Sequence, residues 1–204
     1  VSTTIEPQPQ AAVFTTRLLP WILTIGGAVG LAAALVLTVE KIALLTTPDY
    51  VPSCSIDPIL SCGSIMRTGQ AEVFGFPNPL LGIAGFAVVV TVGVVLFAGA
   101  RLPGWFWLGL QAGTLFGVVF VHWLVYQSLY VIGALCPYCM AVWAVVIPIF
   151  WYTTVHNLRD GHLPAPRRVV AVLAGYHTVV LILWYLLIGL AVLQAFWDYW
   201  LTVI

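Results

Sequence analysis

The sequence predicts an all-α, polytopic membrane protein. Three observations carry this. Of 204 residues, 62% are hydrophobic and only 7% are charged, whereas soluble domains carry about a quarter charged residues. Several apolar runs reach the roughly 20 residues that a helix needs to cross the hydrocarbon. The connections between them are polar and hold helix-breaking Pro and Gly. The formal net charge is zero and no basic tract is present, so nothing points to nucleic acid. No internal repeat is visible.

The elements follow in order. The stretch "VSTTIEPQPQAAVFTTR", residues 1–17, is polar and Pro-bearing. It is too long and too poor in positive charge for the start of a cleaved signal, and is expected to be a disordered tail. The first apolar run is Leu18 to Leu45. The one long polar segment follows, "TTPDYVPSCSIDPILSCGSIMRTGQAEVFGFPNP" (46–79), with a loop expected over residues 47–79. A second run covers Leu80 to Ala100, and "RLPG" turns the chain. The third run is Trp105 to about Leu135 and the fourth Pro137 to Val155. "HNLRDGHLPAPRR" reads as a loop, and the fifth run is Val169 to Phe196. The expected organisation is a tail (1–17), a four-helix domain (18–158), a loop (159–168) and a fifth membrane helix with the C-terminus (169–204).

Orientation follows from the bias of Lys and Arg toward the cytoplasmic side. With the N-terminus cytoplasmic, Arg17, Arg101, Arg159, Arg167 and Arg168 lie inside, and only Lys41 and Arg67 lie outside. Both cysteine pairs then fall outside, where disulfides form and persist.

The stretch "ALCPYCMAVW" (134–143) holds the first pair to consider. Pro137 suits the first turn of a helix, and Gly133 suits the end of the preceding one. Cys136 is therefore expected at the N-cap of helix four, with Cys139 in its first turn. Free N–H groups and the helix dipole stabilise a thiolate there, and Cys-x-x-Cys is a redox spacing. Residues 136, 139 and 143 share one helix face. A thiol above an aromatic inside the hydrocarbon suggests a flat, lipid-soluble redox partner such as a quinone. Trp143 reads equally as an interfacial or packing aromatic. The second pair, Cys54 and Cys62, is separated by "SIDPILS", too loose for a compact redox turn. A mobile loop pair beside a fixed helix pair suggests a relay by thiol–disulfide exchange. Four cysteines also allow a zinc site or two static disulfides. A Cys-x-x-Cys bridge closes so small a loop that it restrains the unfolded chain little, which favours redox use.

With Cys54-x7-Cys62 in an outer loop, "FGFPNPLLG" after it, two spans, and "CPYC" opening the fourth, the chain resembles the vitamin K epoxide reductase family, in its bacterial disulfide-forming branch. The resemblance covers residues 18–158. In the DsbB quinone reductases, which also use two cysteine pairs, the Cys-x-x-Cys pair comes first in sequence. The resemblance implies a four-helix bundle around a quinone, menaquinone or ubiquinone, capped by the loop. It implies oxidation of a thioredoxin-like, DsbA-type partner in a bacterial cell membrane. Cys139 would be the quinone-proximal thiol, Cys136 would exchange with Cys62, and Cys54 would meet the partner. Asn78 falls where the family places a polar residue near a quinone carbonyl, although an Asx turn also suits it. Phe76 and Leu80, beside it, are expected at the quinone pocket with Trp143. Vertebrate members carry Tyr where this chain has Trp143, which weakens the case for epoxide chemistry. Some bacterial members carry a fused thioredoxin-like domain; this chain stops at Ile204, so a separate partner is expected. The alternatives are a quinone-epoxide reductase, or a non-catalytic scaffold with structural disulfides.

His122 and His177 lie inside apolar runs and are read as packing hydrogen bonds between helices. Glu40 and Lys41 end the first span and are expected to pair, snorkel or hold the loop. Asp57 is read as a partner for Lys41 or Arg67. Gly82, Gly85, Gly109, Gly113 and Gly117 are read as close helix-packing positions.

Overall fold

A computed structural model describes residues 9–203 except Pro48 and Pro58, with side chains described within 17–201. Helix α1 (Pro9–Thr46) is followed by the polar segment, which carries the short α2 (Cys62–Met66) and a 3-10 turn (Gly69–Glu72). Then come α3 (Pro79–Phe97), α4 (Gly104–Tyr126) with a π-turn (Gln127–Ile132), α5 (Pro137–Arg159), α6 (Arg167–Gly175), α7 (His177–Ala195) and α8 (Trp197–Val203). Among the described residues, five helices are long and apolar enough to cross a membrane: α1, α3, α4 with its π-turn, α5 and α7. The fold is all-α and polytopic.

Helix α1 is the spine. It packs on both α3 and α5, and α4 packs on α5, whereas α3 and α4 make little contact with each other. The close contact of α1 with α3 depends on glycine. A Cβ on Gly27 would stand 2.8 Å from the Val90 backbone nitrogen, and one on Gly93 would stand 2.6 Å from the Thr24 nitrogen. In lipid, such close approach supplies the dispersion contacts that hold helices together. The glycines read from sequence as packing positions behave differently. Gly82 meets Ala34 and Gly117 meets Val146, but Gly85, Gly109 and Gly113 have nothing within 4 Å of where a Cβ would stand.

Three boundaries differ from the sequence reading. Helix α1 begins at Pro9, so the expected tail is helical over its second half; residues 1–8 lie outside the described residues. Helix α5 continues through Arg159, four residues into the expected loop. The fifth run is two helices, broken at Tyr176. A polar node fixes that break: the Trp151 indole N–H donates to the His177 carbonyl oxygen at 3.0 Å, and the Tyr152 hydroxyl bonds His177 Nδ1 at 2.9 Å. Both membrane histidines are packing residues, as expected. The Trp184 indole N–H donates to His122 Nε2 at 2.8 Å, joining α7 to α4.

Replacing Gly93 with Val is expected to destabilise the bundle by about 1–3 kcal/mol or more, the usual cost of overpacking. Gly189→Ala, on the open face of α7, is expected to be neutral. Thermal unfolding in detergent separates the two, and equal melting of both variants would contradict the α1–α3 packing.

Candidate functional site

The site is built where the polar segment folds back onto the start of α5. Gly133 ends the π-turn in the left-handed region (φ +69), and Ala134–Leu135 run on to Cys136. Cys136 is extended, sits at the N-cap of α5, and its sulfur accepts from the Cys139 N–H at 3.3 Å. This is the geometry that Pro137 and Gly133 predict. The Cys139 thiol, then the N–H groups of Cys139 and Tyr138, hold the Cys136 thiol below its ordinary pKa, against the opposing effect of burial.

The loop arm docks by backbone pairing. Leu135 N–H donates to the Ile59 carbonyl at 2.7 Å, and Ser61 N–H donates to the Leu135 carbonyl at 2.9 Å. This pairing lays Cys62, first residue of α2, beside Cys136. The Cys62 and Cys136 sulfurs are 3.1 Å apart. Cys54 and Cys62 are bonded to each other, and Cys136 and Cys139 are free thiols. The sulfurs of Cys54, Cys62 and Cys136 lie within 4.8 Å of one another. With two of them bonded as a disulfide, the cluster is arranged for exchange, a thiol facing a disulfide sulfur. All three are buried, Cys54 at 4% exposure and the others at 0%.

Two consecutive residues of α1 hold the loop. Glu40 accepts from the Tyr50 hydroxyl at 2.9 Å and the Ser53 hydroxyl at 2.5 Å, just before Cys54. Lys41 donates to the Met66 carbonyl at 2.6 Å and pairs with Glu72 at 2.7 Å, just after Cys62. Of the roles considered for Glu40 and Lys41, the structure gives holding the loop. Asp57 pairs with neither Lys41 nor Arg67. Its carboxylate braces its own turn, accepting from the Leu60 and Ile59 N–H groups at 2.7 and 2.8 Å, and from Tyr199 of α8 at 3.4 Å. The Leu60 N–H above all, then the Ile59 N–H and the Tyr199 hydroxyl, hold Asp57 below the usual carboxylate range.

Behind Cys139 lies an apolar cavity of about 570 Å³ between α1, α3, α4 and α5. Cys139, Asn78 and Trp143 line it. Phe76 and Leu80 do not. The cavity face of α3 runs through 78, 81, 82, 85, 86 and 89, a helical period that turns Leu80 outward; Phe76 instead stacks on Phe74 at 6.2 Å. Asn78 uses both ends of its amide on the cap: Nδ2 donates to the Gln70 carbonyl at 2.7 Å, and Oδ1 accepts from the Val73 N–H at 3.2 Å. Gly85, Gly109 and Gly113 line the cavity, so those glycines make room rather than packing contacts. The sequence reading missed Gln70, Gln127 and Ser128, which line the same end. A polar side chain next to a Gly-terminated apolar run was the available signal.

Fold and site define a class: a multi-pass membrane protein with a thiol–disulfide pair poised against a second cysteine pair, which backs onto a cavity in the bundle. The vitamin K epoxide reductase family matches residues 21–154, and the chain belongs to that family. A comparison with curated proteins gives no match.

Two outcomes are expected. In a Cys139→Ser protein, Cys136 exchanges into the Cys54–Cys62 bond and releases Cys54. Peptide mapping then finds a Cys62–Cys136 disulfide; Cys54–Cys62 alone would contradict the contact. For Asp57, a depressed carboxylate contributes stability that is complete above its ordinary pKa and is lost only as pH falls through the depressed value. Amide exchange at Ile59 and Leu60 is therefore expected to accelerate only below the usual carboxylate range, and not in Asp57→Asn.

Proposed function

We propose that the protein is a membrane thiol:quinone oxidoreductase that reoxidises a thioredoxin-like, DsbA-type partner and so supports disulfide formation. The observation that carries this is the 3.1 Å approach of the Cys136 and Cys62 sulfurs while Cys139 faces the cavity. One cysteine of the helix pair thus touches the loop pair, and the other touches the space for an acceptor.

The reaction balances as partner dithiol plus quinone gives partner disulfide plus quinol. The partner's thiolate attacks Cys54, and Cys62 leaves as a thiolate; the partner's second thiol then resolves the mixed disulfide. The Cys62 thiolate attacks Cys136 of an oxidised Cys136–Cys139 pair, releasing Cys139. Cys54 then attacks Cys62, restoring Cys54–Cys62 and leaving Cys136 and Cys139 as thiols. That last arrangement is the one in the structure. A quinone in the cavity supplies a sink for two electrons and two protons, which the Cys136 and Cys139 thiols provide.

The cavity suits such a ligand. Most of its polar lining, including Lys41, Gln70, Asn78, Gln127 and Ser128, gathers at the cysteine end, and, Thr114 apart, the rest is apolar as far as Trp105 and Phe106. A polar ring is therefore held next to Cys139 with its tail along the bundle, and the scant contact of α3 with α4 gives that tail a way into lipid. Asn78 has one N–H to spare for a carbonyl, and Trp143 forms the wall below Cys139. The Lys and Arg bias supports a cytoplasmic N-terminus and outward-facing cysteines in a bacterial inner membrane.

Cys54 is buried, so the partner reaches it only when the loop lifts from Cys136. Purified protein given a reduced thioredoxin-like dithiol and a quinone is expected to form quinol, read by ultraviolet absorbance, and Cys139→Ser is expected to abolish it. No quinol from the wild type, with the Cys54–Cys62 bond inert to the dithiol, would falsify the reading.

A further inference from the structure

The cavity has few Lys, Ser, Thr, Asn and Gln side chains, and almost all of these are already committed. The Lys41 ammonium is taken by the Met66 carbonyl and Glu72. The Thr114 hydroxyl donates to the Gln111 carbonyl at 3.1 Å, and the Ser128 hydroxyl donates to the Ala134 carbonyl. The Asn78 amide braces the cap through Gln70 and Val73. Gln70 donates from Nε2 to Gln127 Oε1 at 3.5 Å. Gln127 lines the cavity, and its own Nε2 has no partner among the described residues. If the two amides are both turned over, Gln127 spends one N–H on Gln70 and still keeps one. A spare amide donor therefore remains at this wall in either arrangement.

Its placement is specific. Gln127 opens the π-turn that ends α4. Such turns insert an extra residue into a helix and recur at functional sites. Gln127 and Ser128 follow Phe120, Val121 and Leu124 along the cavity wall at helical spacing, before Gly133 reverses the chain toward Cys136. Asn78 sits at the N-cap of α3. Two amides from different elements thus line one space, both in contact with Gln70 and beside the one thiol that enters it.

We infer that Gln127 donates a hydrogen bond to a quinone carbonyl, with Gln70 beside its amide. Gln127 is thereby a binding and ring-orienting residue. This rests on the quinone-reductase reading above. A polar donor in an apolar, water-poor wall discriminates strongly, because a ring lacking the acceptor leaves it unpaired.

The test measures binding without turnover. In a full-length Cys136→Ser, Cys139→Ser background, a short-chain 2,3-dimethoxy-1,4-benzoquinone is titrated and tryptophan fluorescence quenching is followed. Gln127→Met, which keeps volume and removes the donor, is expected to weaken binding about threefold to tenfold, the range of one neutral hydrogen bond. Gln70→Leu, which removes the tether and leaves the donor, is expected to weaken it less. Far-ultraviolet circular dichroism is expected to be unchanged in both, which shows that the bundle is intact. Unaltered binding in Gln127→Met, or equal weakening in the two variants, overturns the assignment. A parent protein that binds no quinone sinks the underlying reading as well, which the first two outcomes leave standing.

Discussion

The cysteine end of the molecule depends on one short backbone pairing, that of Leu135 with Ile59 and Ser61. Without it nothing brings residues 54–62 beside residue 136, and the two cysteine pairs are unrelated features of one sequence. Each of its two hydrogen bonds contributes about 0.5–1.5 kcal/mol net. That scale matters, because the arrangement has to be both formed and broken. A loop held by a few kcal/mol is docked most of the time and still opens on its own. A loop welded down by a large apolar interface would bury Cys54 permanently. The helix start supplies the other half of the arrangement, since the Cys136 N-cap gives the sulfur a fixed position and N–H groups that favour its charged form.

Opening is confined by what lies on either side. Glu40 and Lys41 are neighbours in sequence, nearly buried, and fully occupied with the two flanks of the cysteine segment. Charges buried this far persist only when paired and hydrogen-bonded, so both anchors are firm. The part free to lift is the short stretch between them. Tyr199 of α8 reaches Asp57 within that stretch, so the C-terminal helix also bears on when it lifts. In the proposed reaction the relay would therefore work as a local hinge rather than a swinging arm.

Much of this was legible in the sequence, and the reasons are local. Membrane spans announce themselves through length and apolarity. The N-cap at Cys136 follows from Pro137 and Gly133, which restrict their own backbones whatever surrounds them. The helix period also contains the outward turn of Leu80, since 78, 81 and 82 share a face and 80 does not. What was hidden depends on partners distant in the chain. Whether a glycine packs against a neighbour or faces empty space is set by the tilt of another helix, so Gly27 and Gly93 could not be told from Gly109 and Gly113. Gln127 reads as one more polar residue near a helix end until the packing of α4 against its neighbours places it on the cavity wall. Asp57 carries a charge that suggests Lys41 or Arg67, yet its turn offers two N–H groups at shorter range.

The glycines that face the cavity have a consequence of their own. At Gly85, Gly109 and Gly113 the wall is bare main chain, with nothing within 4 Å of the place where a methyl group would stand. Elsewhere in a close-packed bundle a larger side chain must displace a neighbour. Here it would only take up void. The chamber can thus be narrowed one carbon at a time without disturbing the scaffold, which makes these three positions the places where the size of its occupant can be tuned.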